Sequence, residues 1–523
     1  MSGVSRFWKT SSERKKRTTR KSKPEQFSWG RRSVLTPTRP LLHKCVEERG
    51  NESREKLRGA HFALNCKGTL TLRLISGFYP LVKKSLFHSI AGSVTAPAGF
   101  LAAGVFCDIK RLGTGKGSHK PLKRDLALLV SQSPASVAGA FTTNQVCAAP
   151  VKWCVERVQR GMARAVVVNS GNANACTGER GRLDAEKMAA LAAAALNIAA
   201  EEVLVASTGR IGVPMPMEQV EKGIAQAAAL LDGSLESGSH AEEAIMTSDT
   251  RAKEVAVEFQ LGGKTVRIGG MCKGAGMIQP GMSPSGAPPA LRPLHATMLC
   301  FLTTDAAVEA KVLQAALNEA VAQSFNRITV DGDMSTNDTV LVLANGRAGH
   351  RPLTARAPEL PVFQAALNHV TLELARKIVL DGEGVSRFVT VRVSGARNFA
   401  EADTAARVVA NSSLVKTSWC GGDPNWGRIL CALGYSSAQV VEGKVDVGYS
   451  LPGSRKILYS LRKGRPTSVA FKALCEISTA SAFDLHINLN VGRASALIYA
   501  ADLTEAYVDF NKGDVNDPTT LGG

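Results

Sequence analysis

The chain reads as an α/β or mixed α+β protein. Three observations predict this: short β-branched segments bounded by turn residues, alanine-rich stretches of helical composition, and the alternation of the two along the chain. "DLALLVS" (125–131), "ARAVVVNSG" (163–171) and "VLVAS" (203–207) are buried-strand sequences. Between the last two, "LDAEKMAALAAAALNIAAEE" (183–202) predicts a helix with Asp184 available as its N-cap. "AKVLQAALNEAVAQSF" (310–325) predicts another helix and "TVLVLANG" (339–346) a strand, while 360–382 predicts a third helix running into a strand. No period of about 20–50 residues recurs.

With 523 residues, 44% of them hydrophobic and 5% aromatic, the chain can bury a sizeable core. Its net charge of +19 lies mostly in one place. Residues 1–93 hold 21 Lys/Arg against 6 Asp/Glu, and the remaining 430 hold 43 against 39. The opening "FWKTSSERKKRTTRKSK" is basic, rich in Ser and Thr and poor in acids, a composition that favours an organelle transit peptide over a solvated tail or a nucleic-acid arm. From about Val94 the texture changes to short apolar segments punctuated by glycine, which sets the start of the folded part. The eleven cysteines form no CxxC pair and no His stands at metal spacing, so reduced, mostly buried thiols are expected rather than a disulfide framework or a zinc site. No apolar run approaches about 18 residues, so no membrane span is expected.

Two short segments imitate ligand sites. "RLGTGKGSHK" (111–120) lacks the leading Gly and the final Ser/Thr of a phosphate loop, and reads as a solvated hairpin tip. "DGDMSTND" (331–338) spaces its oxygens as a calcium loop does, but Thr336 stands where the turn demands Gly and no Glu closes it; no metal is expected.

"HATMLCFLTTDA" (295–306) poses the chemical question, because Thr297 opens an apolar run after a loop crowded with Gly and Pro. A threonine hydroxyl needs a base. Were the Ala296–Thr297 peptide bond cut, the freed α-amine, with a pKa of about 7.7–8.0, would supply one inside the same residue. Periodicity alone also allows a structural Thr at the head of a buried strand.

Together "VTAPAGF" (94–100), "FTTNQVCAAPV" (141–151), "NSGNANACTG" (169–178), "STGRIGVPMP" (207–216), "IMTSDT" (245–250), "KGAGMIQPGM" (273–282), "ATMLCFLTTDA" (296–306), "DGEG" (381–384) and "DPNWGRIL" (423–430) resemble the ornithine acetyltransferase family, bifunctional glutamate N-acetyltransferases of arginine biosynthesis. The resemblance runs in order from about Val94 to Asn511. It implies a four-layer αββα sandwich and a precursor that cuts itself between Ala296 and Thr297, giving an α chain (94–296) and a β chain (297–523). It implies Thr297 as nucleophile, Thr208 and Gly209 as oxyanion hole, and Thr247, Lys273, Glu383 and Asn511 with Thr297 as substrate contacts. The implied substrates are N-acetylornithine and glutamate, with no cofactor, no nucleic acid and no membrane. The implied assembly is a heterotetramer of two α and two β chains in a plastid or a mitochondrial matrix. Some members of that family also accept acetyl-CoA as donor. The asparagine-rich 169–178 and "DPNWGRIL" read as scaffold around the cleft.

Two departures stand out. "SPSGAPPALRPLH" (283–295) is inserted where the family runs directly into its ATML motif, and the C-terminal "NKGDVNDPTTLGG" leaves the family's hydroxyl contact without a counterpart. Cleavage is nevertheless expected, since ATML and KGAG are intact. The rival readings are an amidase or aminopeptidase of the same superfamily, with water as acceptor, and an uncleaved, inactive binding protein with a basic arm.

Overall fold

The computed structural model describes residues 86–110, 123–286 and 298–512. In chain order these form β1 (Phe87–Ile90), β2 (Phe100–Val105), β3 (Leu126–Phe141), α1 (Ala149–Val158), β4 (Met162–Asn172), α2 (Gly178–Leu196), β5 (Val203–Arg210), α3 (Met217–Ala229), α4 (Leu235–Ile245), β6 (Glu254–Leu261), β7 (Lys264–Lys273) and β8 (Leu299–Thr304). There follow α5 (Ala310–Gln323), β9 (Ile328–Thr329), β10 (Thr339–Ala344), α6 (Leu360–Leu380), β11 (Phe388–Ala396), α7 (Phe399–Asn411), α8 (Ser413–Cys420), α9 (Trp426–Gly434), β12 (Asp446–Ser450), β13 (Leu458–Arg462), β14 (Arg465–Pro466), α10 (Phe471–Ser478), β15 (Ala482–Asn488), β16 (Ala494–Ala501) and α11 (Glu505–Phe510). Among the described residues the first element is β1, N-terminal to the Val94 boundary read from composition, where Phe87–Ile90 pairs antiparallel with Ala256–Phe259 of β6.

β3 makes the architecture. Its first half pairs with β2 and its second with β10, and its register against β4 shifts between Val130 and Ala135. The strand bends there, as a bulge demands. Odd-numbered residues on either side of the bend, Ala127 and Leu129 then Ala135, Val137 and Phe141, all enter one inner core. The even-numbered ones face outward: Leu126, Leu128 and Val130 meet Met188 and Ala189 of α2 and Val220 and Ile224 of α3, while Ala138 and Ala140 join the core of Leu313 and Leu317 of α5 and Leu367 and Leu374 of α6. The layers are therefore helices, β2–β3–β4–β5, the second half of β3 with β10–β8–β7–β6–β1, and helices again. This is the expected four-layer αββα sandwich.

A second sheet, in the order β14-β13-β12-β15-β11-β16-β9, carries α7 to α10 on its apolar face, with Trp419, Phe483 and Tyr449 at its centre. Three elements differ from expectation. The helix expected at 183–202 begins at Gly178, so Asp184 is not its N-cap but a buried interior residue paired with Arg180 at 3.6 Å. Segment 360–382 stays helical to Leu380, and the strand expected to follow directly starts at Phe388. The strand expected at 125–131 continues to Phe141 through the exposed Gln132 and Pro134 at the bend. Cys154, Cys272 and Cys300 are buried free thiols, whereas Cys176 and Cys431 are exposed. Among the described residues no helix is long and apolar enough to cross a membrane, and no His/Cys/Asp/Glu group could hold a metal ion. Segment 111–120 lies outside the described residues.

Candidate active site

The turn that leaves β7 gathers most of the residues singled out from sequence. Lys273 is the last residue of that strand and is buried; its Nζ reaches across the sandwich and donates to Thr208 Oγ1 on β5 (3.3 Å). The next residue, Gly274, donates its N–H to Asp249 Oδ1 (2.7 Å), and Asp249 Oδ2 accepts the N–H of Thr247 (2.9 Å). The Ala275 carbonyl accepts the N–H of Glu383 (2.9 Å). A Cβ on Gly276 would lie 2.5 Å from Glu383 Oε2, so the Glu383 carboxylate rests on the turn itself. Asn511, just after α11, completes the chain by donating to Glu383 Oε2 (3.0 Å).

Beside Thr208, Gly209 adopts φ +131°, and a Cβ on it would fall 2.3 Å from the Gly171 carbonyl carbon of β4. Only glycine allows that approach. The asparagine-rich segment underneath is held by uncharged side chains. Asn169 Oδ1 accepts from Ser207 Oγ (2.6 Å), Asn172 Nδ2 reaches the carbonyls of Val213 and Pro214, and Asn174, in the left-handed region at φ 48°, binds the Gly181 carbonyl (2.9 Å). Asn337 bridges the two strand ends, donating to the carbonyls of Ala173 (2.6 Å) and Ser207 (2.8 Å). The scaffold role expected for 169–178 is what these bonds describe.

Ala296 and Thr297 lie outside the described residues, but their C-terminal neighbour is fixed. Met298 donates its N–H to Asp338 Oδ1 (2.5 Å), its carbonyl accepts from Thr339, and Leu299 pairs with Lys273 in the sheet. Thr297 is the residue that directly precedes this anchored segment in the chain. The insertion is anchored at its start, where Ser283 pairs with Phe141 at the end of β3; 287–297 lie outside the described residues.

The site is strongly charged, with Thr208, Asp249 and Lys273 buried, Glu383 half-buried and Asn511 exposed. Burial pulls the Lys273 ammonium below its ordinary value, with Asp249 opposing and Lys253 adding to the effect. Burial would raise the Asp249 carboxyl, but Lys253, Lys273 and the Gly274 N–H outweigh it and hold the group well below the usual range. A hydroxyl has one proton and an ammonium only donates, so accepting from Lys273 leaves Thr208 its own O–H to direct elsewhere. The arrangement can pair one anionic group of a ligand at Lys273, take a cationic one at Glu383, and offer donors at Thr208 and Gly209 to a developing oxyanion.

The residue pattern and the relatives agree. The sequence profile of the ArgJ family matches residues 102–513. Over 422 residues, 81% of this chain and 98% of the relative, the chain is 48% identical to the arginine biosynthesis bifunctional protein ArgJ of Symbiobacterium thermophilum. The chain belongs to the ArgJ family. As a member it is an acyltransferase of arginine biosynthesis. A glutamate N-acetyltransferase of Methanocaldococcus jannaschii is 42% identical over 428 residues, 81% of this chain and 98% of that one. Among solved structures, the ornithine acetyltransferase of Mycobacterium tuberculosis complexed with ornithine is 42% identical and covers 38% of this chain and 100% of that chain, with a TM-score of 0.34.

Within this ArgJ family chain the structure joins Thr208, Thr247, Lys273, Glu383 and Asn511 through the 273–276 turn. In "DPNWGRIL", Asn425 caps α9 and Arg428 donates to the Leu414 carbonyl and Thr417 on α8, so the segment organises the helical layer of the second sheet. Sequence reasoning missed Asp249, Lys253, Asp331, Asn337, Asp338 and Asp381. The signal was partly there, since "DGDMSTND" drew attention as a chelator. Its oxygens serve the backbone instead: Asp331 accepts the N–H groups of Met277 (2.6 Å) and Ile278 (2.8 Å), and Asp338 that of Met298.

Proposed function

We propose that the protein is a self-processing acetyltransferase that moves the acetyl group of N2-acetylornithine to glutamate through an acetyl ester on Thr297. The observation that carries this reading is the convergence of Thr208, Lys273, Glu383 and Asn511 on one buried turn beside the strand that Thr297 precedes. After scission behind Ala296, the α-amine of Thr297 takes the hydroxyl proton as the oxygen attacks the acetyl carbonyl. The Thr208 hydroxyl and the Gly209 N–H receive the oxyanion, the C–N bond breaks, and the proton passes to the departing ornithine amine. Glutamate then attacks the ester with its α-amine, restoring the hydroxyl and leaving as N-acetylglutamate. Lys273 meets the α-carboxylate that the two substrates share. Glu383 receives the side-chain ammonium of ornithine, and the Asn511 amide beside it offers N–H donors to the side-chain carboxylate of glutamate.

The same reading makes residues up to Ala296 the α chain and those from Thr297 the β chain, paired as a heterotetramer, with the basic 1–93 segment directing the precursor to a plastid or mitochondrion. No cofactor enters these steps, and acetyl-CoA would serve as an alternative donor to the same ester. Intact mass spectrometry after incubation with acetylornithine tests it: two chains, the β chain beginning at Thr297 and gaining one acetyl group, are expected, and Thr297→Val abolishes both scission and exchange. A full-length band with Thr297 internal would refute the proposal, and release of free acetate without acetylglutamate would replace it with an amidase.

A further inference from the structure

Lys253 touches none of the residues assigned to substrate, yet it stands among the polypeptide segments that carry them. It lies between the Thr247 loop and β6 and is 1% exposed. Its Nζ donates to Asp249 Oδ1 (2.7 Å), Asp381 Oδ2 (2.5 Å) and the Arg251 carbonyl (3.3 Å). Each carboxylate is committed in turn to a segment of the pocket. Asp249 holds the N–H of Thr247 and of Gly274, next to Lys273. Asp381 holds the N–H groups of Thr250 (3.0 Å) and Arg251 (3.3 Å) and accepts from the Thr250 hydroxyl, and it opens the turn that carries Glu383 two residues on. The Lys253 backbone is fixed as well, its N–H donating to Glu242 (2.8 Å) and its carbonyl accepting from Cys272 (3.0 Å), directly before Lys273. One ammonium therefore joins the Thr247 loop, the Lys273 turn and the Glu383 turn.

We propose that Lys253 is a positioning residue that fixes the spacing between the cationic end of the pocket at Lys273 and the anionic end at Glu383, and thereby its selectivity for amino acids with a second charged terminus at a set distance. This rests on the acetyl-transfer reading above. The physical reason is that a buried ion pair adds little net stability over an apolar pair of the same volume, but its directional bonds specify one arrangement of the groups around it. Here the groups around it are the walls of the substrate pocket. A shift of about 1 Å between them is enough to change rates by about a hundredfold.

The variant Lys253→Met/Asp381→Asn, in the self-processed protein made from the full chain, removes the link with no change in net charge and leaves Asp249 to the Lys273 side of the site. Steady-state exchange is measured with N2-acetylornithine and with its homologue one methylene shorter, alongside thermal melting. The expected result is a KM for acetylornithine raised about tenfold, kcat within about threefold of the parent, and a preference over the shorter homologue reduced at least about threefold. Unchanged KM and preference, with or without a lower melting temperature, would show that Lys253 does not set the spacing of the pocket. Should the double variant not fold, Thr250→Val takes its place. It removes one hydroxyl bond to Asp381 from an exposed residue; a two- to threefold rise in KM supports the link, and an unchanged KM overturns it. A parent enzyme that fails to acetylate glutamate at all would instead refute the acetyl-transfer reading, separately from this one.

Discussion

The two walls of the pocket are built on opposite principles. The wall at the ends of β4 and β5 is neutral: Asn169, Asn172, Asn174 and Asn337 hold backbone carbonyls, and Gly209 packs directly on Gly171. The wall formed by the turn after β7 and the turn after α6 is ionic: Lys253 joins Asp249 and Asp381 through short charge-assisted bonds, and Lys273 and Glu383 stand on the turns those carboxylates hold. A neutral wall sets donor positions to a fraction of an ångström and does not titrate. An ionic wall captures charged termini and responds to pH. On the acetyl-transfer proposal the first wall serves the chemical step and the second substrate capture, and variants can break that division.

The largest effect is expected at Gly209. Alanine there must adopt φ +131° and push its Cβ into the backbone of Gly171 at 2.3 Å. Strain of about 1–3 kcal/mol adds to a displaced oxyanion donor, so kcat should fall by about a hundredfold or more while KM for acetylornithine changes little. A rise in KM with kcat preserved would reverse the roles of the walls. Asn337→Ala comes next. It leaves the buried carbonyls of Ala173 and Ser207 without these bonds, a cost of about 2–4 kcal/mol in stability, and should lower kcat by about tenfold equally at pH 6 and pH 9. Chemical denaturation and single-turnover acetylation measure the two parts; a pH-dependent loss would mean that the neutral wall is coupled to the charges opposite.

Legibility from sequence followed the same division. Thr208, Gly209, Lys273 and Glu383 stand in short local motifs, and their expected roles, like the αββα sandwich, followed from the resemblance those motifs carry and not from their residue types. Lys253 sits in "RAKEV", which has no pattern, and its role depends on pairing both with nearby Asp249 and with Asp381, 128 residues away. Asp338 was visible as an acidic residue, but its task depends on the N–H of Met298, 40 residues earlier. Long-range ion pairs and backbone acceptors leave no periodicity. The bend in β3 was hidden for a related reason: "SQSPAS" has turn composition, yet the strand runs through it because the flanking halves pair with different strands. The second sheet escaped notice since β11 pairs in parallel with β15, a partner that lies far along the chain.

The smallest expected effect lies behind the ionic wall, at Glu242. Burial pushes this carboxyl up to about 8, with the Lys253 N–H opposing and Asp249 and Glu254 adding to the rise. Between the ordinary glutamate value and about 8 the folded protein keeps a proton that the unfolded chain has released. The group therefore contributes stability that is complete below the unfolded pKa and is lost as pH climbs through about 8. Glutamine keeps an acceptor for the Lys253 N–H and cannot ionise. Glu242→Gln should accordingly gain roughly 2 kcal/mol on the parent between pH 6 and pH 9, with kcat at pH 7 within about twofold. Urea unfolding at the two pH values measures it. A parallel pair of stability curves would place the titrating charge elsewhere in the cluster, whereas a variant whose KM becomes less sensitive to alkaline pH would extend the ionic wall from the pocket through Lys253 to α4.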